Sequence, residues 1–117
     1  MDIRIYEQSI DVDALKEIAR EFYFPMLKGV IDIESGIVAF GGEYHMDANT
    51  LLMSTYSHMS QQSIWGFNIH LDKEKDVWLE YTSLINIRPT AGNMTMEIED
   101  EQIRSKVKDW LDKKITQ

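Results

Sequence analysis

The chain of 117 residues contains no cysteine. Disulfide bonds, thiolate metal sites and cysteine nucleophiles are therefore excluded. Long apolar runs are also missing: the longest, GIVAFGG, is far shorter than the roughly 20 residues that a membrane-spanning helix needs. The amino-terminal MDIRIYEQ alternates apolar and charged residues, which is not typical of a signal peptide. We therefore expect a cytoplasmic protein.

Positive charge is scarce as well. Twelve Lys and Arg stand against 20 Asp and Glu, which gives a formal net charge of −8. DNA, RNA and anionic membranes bind positively charged surfaces, so this charge argues against all three as partners. An acidic surface is compatible with solubility alone or with a basic protein partner.

The apolar pattern predicts a single α+β domain that spans residues 1–117. Alternation with a period of two predicts strands at 3–7, 27–33, 37–46, 64–71 and 78–88, and a short edge strand at 94–98. Helical spacing predicts a helix from Asp11 to just before Pro25, a second at 47–57 capped by Asp47, and a third from Asp100 onward. We expect two layers, a mostly antiparallel sheet of five or six strands with three helices packed on one face.

Polar residues recur on the second face of the predicted sheet. Alternation assigns to it Glu43, His45, Asn68, His70, Asn86 and Arg88. A solvated sheet face has the same composition, so an ordinary surface is one interpretation. The pair Gly41-Gly42 leaves a second possibility open, since a bulge there would exchange the two faces and bury His45.

A metal site is one functional hypothesis for this face. Glu43 and His45 would project from one strand with backbones roughly 6.5–7 Å apart, and His70 or Asp72 would complete a nitrogen and oxygen site for zinc or manganese. No HExxH or DxDxDG motif is present, so the sequence does not require a metal or any other cofactor.

A small hydrolase-like enzyme is another hypothesis. His45 would act as a general base oriented by Glu43 or Asn68, and Arg88 would hold an anionic substrate. Asn68, Asn86 and Asn93 are candidates for substrate binding. No GxSxG nucleophile motif and no phosphate-binding glycine loop accompanies these residues, and the balance of the sequence is against an enzyme.

Protein interaction is the leading hypothesis. Seven methionines and an exposed hairpin suit a small binding protein that associates with itself, most simply as a homodimer. A protein partner or a small anionic ligand is also compatible with the pattern. A third hypothesis is an acidic, antitoxin-like regulator that covers a basic protein.

Four segments, GVIDIESGIVAFGGEYH, IWGFNIH, INIRPTAGN and EIED, occur in this order from about residue 29 to 103. Together they resemble a small bacterial and archaeal family that is catalogued only as a domain of unknown function. The resemblance implies a compact cytoplasmic domain and brings no activity, cofactor or catalytic residue. Where that family has an arginine after the Gly-Asn pair, this chain has Met94, so the resemblance does not support an anion site at that loop.

Overall fold

The computed structural model describes residues 3–117. Its helices are α1 (Val12–Arg20), α2 (His45–Thr55) and α3 (Glu101–Lys114). Its strands are β1 (Arg4–Tyr6), β2 (Ile10–Asp11), β3 (Met26–Asp32), β4 (Val38–Phe40), β5 (Ile64–His70), β6 (Leu79–Glu80) and β7 (Ile115–Thr116). Short 3-10 turns lie at Gln61–Ser63, Leu84–Asn86 and Pro89–Ala91.

Five strands form one sheet in the order β1-β4-β3-β5-β6, and every neighbouring pair is antiparallel. The centre of this sheet is the β3–β5 pair, which is in register from Met26 opposite His70 to Asp32 opposite Ile64. β2 and β7 form a separate parallel pair near the two ends of the chain. The predicted α+β class with a mostly antiparallel sheet is confirmed.

Helices cover both faces of the sheet, whereas we expected all three on one. α1 and α3 pack with Leu27, Ile31 and Phe67 on one face. α2 packs through Ala48 and Leu52 on the opposite face, against residues at the intervening strand positions. Those positions are Val30, Ala39 and Ile64, and they are completely buried. Because β3, β4 and β5 are apolar at adjacent positions here, both of their faces need a cover.

Two strands predicted in the second half of the chain are shorter or missing. The strand predicted at 78–88 ends after β6, and a 3-10 turn begins at Leu84. The edge strand predicted at 94–98 is reduced to an isolated bridge between Thr82 and Glu97. Asn86 and Arg88 are therefore not strand residues, and their expected place on a common sheet face with His45 is wrong.

Two of the three helices begin where local signals in the sequence place them, whereas α2 begins at His45 and has Asp47, its predicted cap, in its first turn. Asp11 caps α1 by accepting a hydrogen bond from the Ala14 N–H at 2.8 Å, and Asp100 caps α3 through the Gln102 N–H. α1 ends at Arg20, four residues before the end that Pro25 set in our prediction. No helix within residues 3–117 is long and apolar enough to cross a membrane.

Gly29 makes room for two aromatic rings at the centre of the sheet. It lies opposite Phe40 on one side and Phe67 on the other. The two rings meet edge to face with their centroids 5.9 Å apart. A Cβ atom at Gly29 would lie 2.7 Å from Phe67 Cε2 and 3.1 Å from Phe40 Cδ1, so a side chain here must displace a ring.

We expect Gly29→Ala to lower the free energy of unfolding by about 1–3 kcal/mol, because overpacking forces the Phe67 ring from its position. Urea unfolding of this variant, of Phe67→Leu and of the double variant measures the coupling. The smaller leucine should accept the added methyl group, so the double variant should lose less stability than the sum of the two single losses. Additive losses would contradict this packing account.

Candidate ligand site

His45 is the first residue of α2 and is buried, with 9% of its surface exposed. The strand that we predicted for residues 37–46 ends at Phe40, because Gly41 and Gly42 adopt φ values of 109° and 91°. The chain leaves the sheet there and turns into the helix. The Nε2 atom of His45 lies 2.8 Å from the carbonyl oxygen of Phe67.

This environment favours the neutral imidazole. Burial lowers the pKa of His45, and the positive charge of Lys28 adds to that effect, whereas the hydrogen bond to Phe67 and a hydrogen bond to the Asn68 side chain oppose it. In the neutral ring Nε2 carries the hydrogen and donates it to the Phe67 carbonyl, which leaves Nδ1 as an acceptor.

Asn68 lies on β5 next to Phe67 and is 7% exposed. Its Nδ2 atom donates to Glu80 Oε1 at 2.8 Å and to the Thr82 carbonyl at 3.2 Å. Its Oδ1 atom is buried and has no hydrogen-bond partner within residues 3–117 while His45 is neutral; protonated His45 could donate to it. A buried acceptor without a partner lowers stability by about 1–3 kcal/mol, so this atom is unusual in a folded domain.

A cavity of about 440 Å³ opens between the start of α2, the sheet and the segment after β6. That volume is within the usual range for small-molecule sites. Its wall consists of Lys28, Tyr44, His45, Met46, Asn68, Thr82, Ser83, Leu84, Ile85 and Met96. The cavity thus joins His45 and the unsatisfied Asn68 to a largely apolar surface.

Four of the lining side chains are large, apolar or aromatic, and exposed. Leu84 is 68% exposed, Tyr44 64%, Met46 52% and Met96 40%. We call these four residues the rim. Contiguous exposed apolar surface of this kind is typical of binding sites.

Lys28 contributes a positive charge to the cavity wall. It lies directly opposite Asn68 in the β3–β5 pair, on the face that α2 covers. Its side chain is partly buried, and its Nζ atom lies 4.9 Å from the centre of the Tyr23 ring. Within residues 3–117 the ammonium group has neither a hydrogen bond nor an ion pair with a carboxylate.

The structure does not bring the three predicted metal ligands together. Glu43 is exposed in the loop before α2, whereas His45 is buried. His70 lies 3.2 Å from Glu80 Oε1. In the part of the chain that the structure describes, no three His, Asp or Glu side chains form a group that could hold a metal ion.

Arg88, which we placed beside Glu43 and His45, has other contacts. Its guanidinium donates to the carbonyl oxygens of Gln62, Ile64 and Ile85. It also lies 4.1 Å above the ring of Trp65. These contacts fasten the 84–91 segment to the start of β5, and Arg88 does not line the cavity.

Asn86 and Asn93, two of the predicted substrate-binding residues, are engaged within the protein. Asn86 is completely buried; its Oδ1 accepts from the Gly66 N–H at 2.8 Å and its Nδ2 donates to the Gly66 carbonyl at 3.0 Å. Asn93 donates to the Asn86 and Glu97 carbonyls and accepts from the Glu99 N–H. Asn68 alone of the three lines the cavity.

The comparisons with known proteins give a family and no activity. Residues 4–114 match the model of a family described as "Protein of unknown function (DUF5674)". The chain belongs to this family. The resemblance to an uncharacterised family that we inferred from the sequence is thereby confirmed. Searches of curated proteins and of solved structures gave no match.

Sequence reasoning missed most of the cavity. Lys28 carried a usable signal, because it is the only charged residue within the apolar run MLKGVI of β3. Tyr44, Met46 and Met96 of the rim carried none, since they fit the apolar alternation of the predicted strands. Leu84 did carry a signal, because it is an apolar residue in phase with Thr82 and Asn86 on the predicted polar face.

The side chain of Asn86 forms the two hydrogen bonds with the Gly66 backbone that a neighbouring strand would otherwise form. Asn86→Ala should lower the free energy of unfolding by about 2–4 kcal/mol, because it leaves the N–H and C=O of Gly66 without partners and removes one of the two hydrogen bonds to the C=O of Met96. Gln102→Ala is the matched control in urea unfolding, because it removes a side-chain amide from an exposed position of α3. Equal losses in the two variants would contradict this structural role.

His45 should make stability depend on pH. Its pKa is lowered in the folded protein, so the unfolded chain binds the proton first as the pH falls below about 6.5. The stabilisation is complete above that pH and is lost as the pH falls toward the lower pKa of the folded state. We expect the urea midpoint to decrease from about pH 7.5 to about pH 5.5 more steeply in the wild type than in His45→Gln.

His58→Gln provides the control for this measurement, because it removes an exposed histidine and leaves His45 in place. Its midpoint should follow that of the wild type. A wild-type slope in His45→Gln would show that His45 does not cause the pH dependence.

Proposed function

We propose that this domain is a binding protein that takes a small, largely apolar molecule into the cavity beside His45 and Asn68. The observation that carries the proposal is the coincidence of the cavity with the exposed rim of Tyr44, Met46 and Leu84. Small-molecule sites have this composition, an apolar wall with a few polar groups at fixed positions.

The polar groups at the base suit orientation of a ligand more than a reaction on it. The imidazole of His45 is held against the Phe67 carbonyl, and Glu43 and Arg88 are not in the cavity wall. The hydrogen bond to Phe67 orients the His45 ring, but within residues 3–117 no hydroxyl nucleophile is hydrogen-bonded to it, as nucleophilic catalysis would need. Binding without catalysis is therefore the function that this geometry favours.

The test uses phenylnaphthylamine, a neutral fluorescent probe that brightens in apolar surroundings. We expect saturable binding to the wild type with one site per chain. Leu84→Ser and Met46→Ser should each weaken binding about fivefold or more, since each removes more than one buried methylene equivalent from the contact with the probe.

Val77→Ser is the matched control, because Val77 is 62% exposed and does not line the cavity. It should bind the probe like the wild type. Absence of saturable binding, or equal weakening by Val77→Ser, would overturn the proposal.

Self-association is a second candidate function, and the same rim supports it. Two copies that cover Tyr44, Leu84 and Met96 on each other would remove exposed apolar surface from water. Analytical ultracentrifugation of the wild type and Leu84→Ser over a range of concentrations tests this. A dimer that dissociates in Leu84→Ser and when phenylnaphthylamine is added would favour association through the rim.

A further inference from the structure

We infer that the ligand of this cavity is an amphipathic anion, a small molecule with an apolar body and one negatively charged group that lies beside Lys28. The inference rests on the proposed function, since it specifies the chemistry of the molecule that occupies the same cavity.

The charge of the cavity wall is opposite to that of the protein. The chain carries 20 Asp and Glu, yet the part of the wall that residues 3–117 form contains Lys28 and no acidic residue. The carboxylate of Glu80, on the neighbouring strand, is engaged by Asn68 Nδ2 and His70 Nε2. A positive site within an acidic surface favours a negatively charged group and disfavours a cation.

Lys28 is also a partly buried cation without a counter-ion among residues 3–117. Its contact with the Tyr23 ring is one that an ammonium group makes without giving up its ability to donate hydrogen bonds. A carboxylate or sulfonate in the cavity would supply the charged acceptor that the protein does not, and such charge-assisted hydrogen bonds are the strong ones.

The apolar side chains of the rim disfavour a simple inorganic anion as the ligand. Tyr44, Met46, Leu84 and Met96 would contact little of a phosphate or a chloride ion in the cavity. A molecule with an apolar body covers these side chains and, in the same pose, can place its charged group at Lys28. Charge and apolar surface together therefore specify an amphipathic ligand.

Two fluorescent probes that share one apolar skeleton test the inference. Anilinonaphthalene sulfonate carries a negative charge, and phenylnaphthylamine is its neutral counterpart. We expect the wild type to bind the sulfonate about five- to tenfold more tightly, as one desolvated charge-assisted contact allows. The preference should disappear in Lys28→Met and persist in Lys28→Arg, which keeps the charge.

Lys106→Met is the matched control, because it removes one exposed positive charge from α3, away from the cavity. It should keep the wild-type preference for the sulfonate. Thermal unfolding of each variant establishes that it is folded, and Lys28→Arg keeps the comparison informative if Lys28→Met does not fold.

Each outcome separates this inference from the proposed function. Equal binding of both probes, or a preference that survives Lys28→Met, overturns the anionic ligand and leaves the apolar site standing. A preference lost equally in Lys106→Met is an effect of overall charge and also overturns the inference. If neither probe saturates, the proposed function fails as well.

Competition against the bound sulfonate tests the amphipathic character. Octanoate should displace it at lower concentration than octanol, which has the same chain without the charge, and inorganic phosphate should not displace it. Displacement by phosphate as effective as that by octanoate would assign the site to a simple anion and overturn the inference.

Discussion

The pairing of β3 with β5 is the constraint on which the rest of the domain depends. Its register sets Lys28 opposite Asn68 and Gly29 opposite Phe67 on adjacent positions that face opposite sides. The Phe67 side therefore carries the large core under α1 and α3, and the Asn68 side carries the cavity under the start of α2. A slip of one residue would exchange the two sides and place Lys28 in the aromatic core.

The cavity exists because the sheet is incomplete beyond β5. β6 pairs with only two residues of β5, and the neighbouring backbone of Gly66 is satisfied by the side chain of Asn86 instead of by a strand. Because the Asn86 side chain forms these hydrogen bonds in place of a strand, the chain can leave the plane of the sheet after β6 and pass along the unpaired side of β5. The segment that departs supplies Thr82, Ser83 and Leu84 to the cavity wall.

Local signals in the sequence predicted much of the fold, since they act through neighbouring residues. Asp11 caps α1 as expected, α3 begins directly after Asp100, and Gly36 takes the positive φ that the β3–β4 turn requires. The position of His45 could not be predicted from such signals, because it depends on the path of the backbone after Gly41 and Gly42. Strand and helix are both open to a chain after Gly41-Gly42, and the contacts of α2 with β3 and β4 decide between them.

The same limit applies to the candidate site. Asn68 was predicted because it alternates with apolar residues in a strand that is present. Asn86 and Arg88 were placed by extending that rule into a segment where strand pairing is replaced by side-chain hydrogen bonds. A side chain that forms the hydrogen bonds of a missing strand does not follow the two-residue alternation of strands. Its role can therefore be identified only from the tertiary structure.

Two features that lower the stability of the unbound domain lie around the same cavity. Together they argue for ligand binding more strongly than either feature alone. An unsatisfied buried acceptor at Asn68 lowers stability, and so does exposed apolar surface at Tyr44 and Leu84 that the core could have buried. Folding alone gives no reason for both to lie around one cavity whose wall also holds the cation of Lys28. Groups that are unfavourable in the unbound protein are expected where function, and not stability, determines the residues.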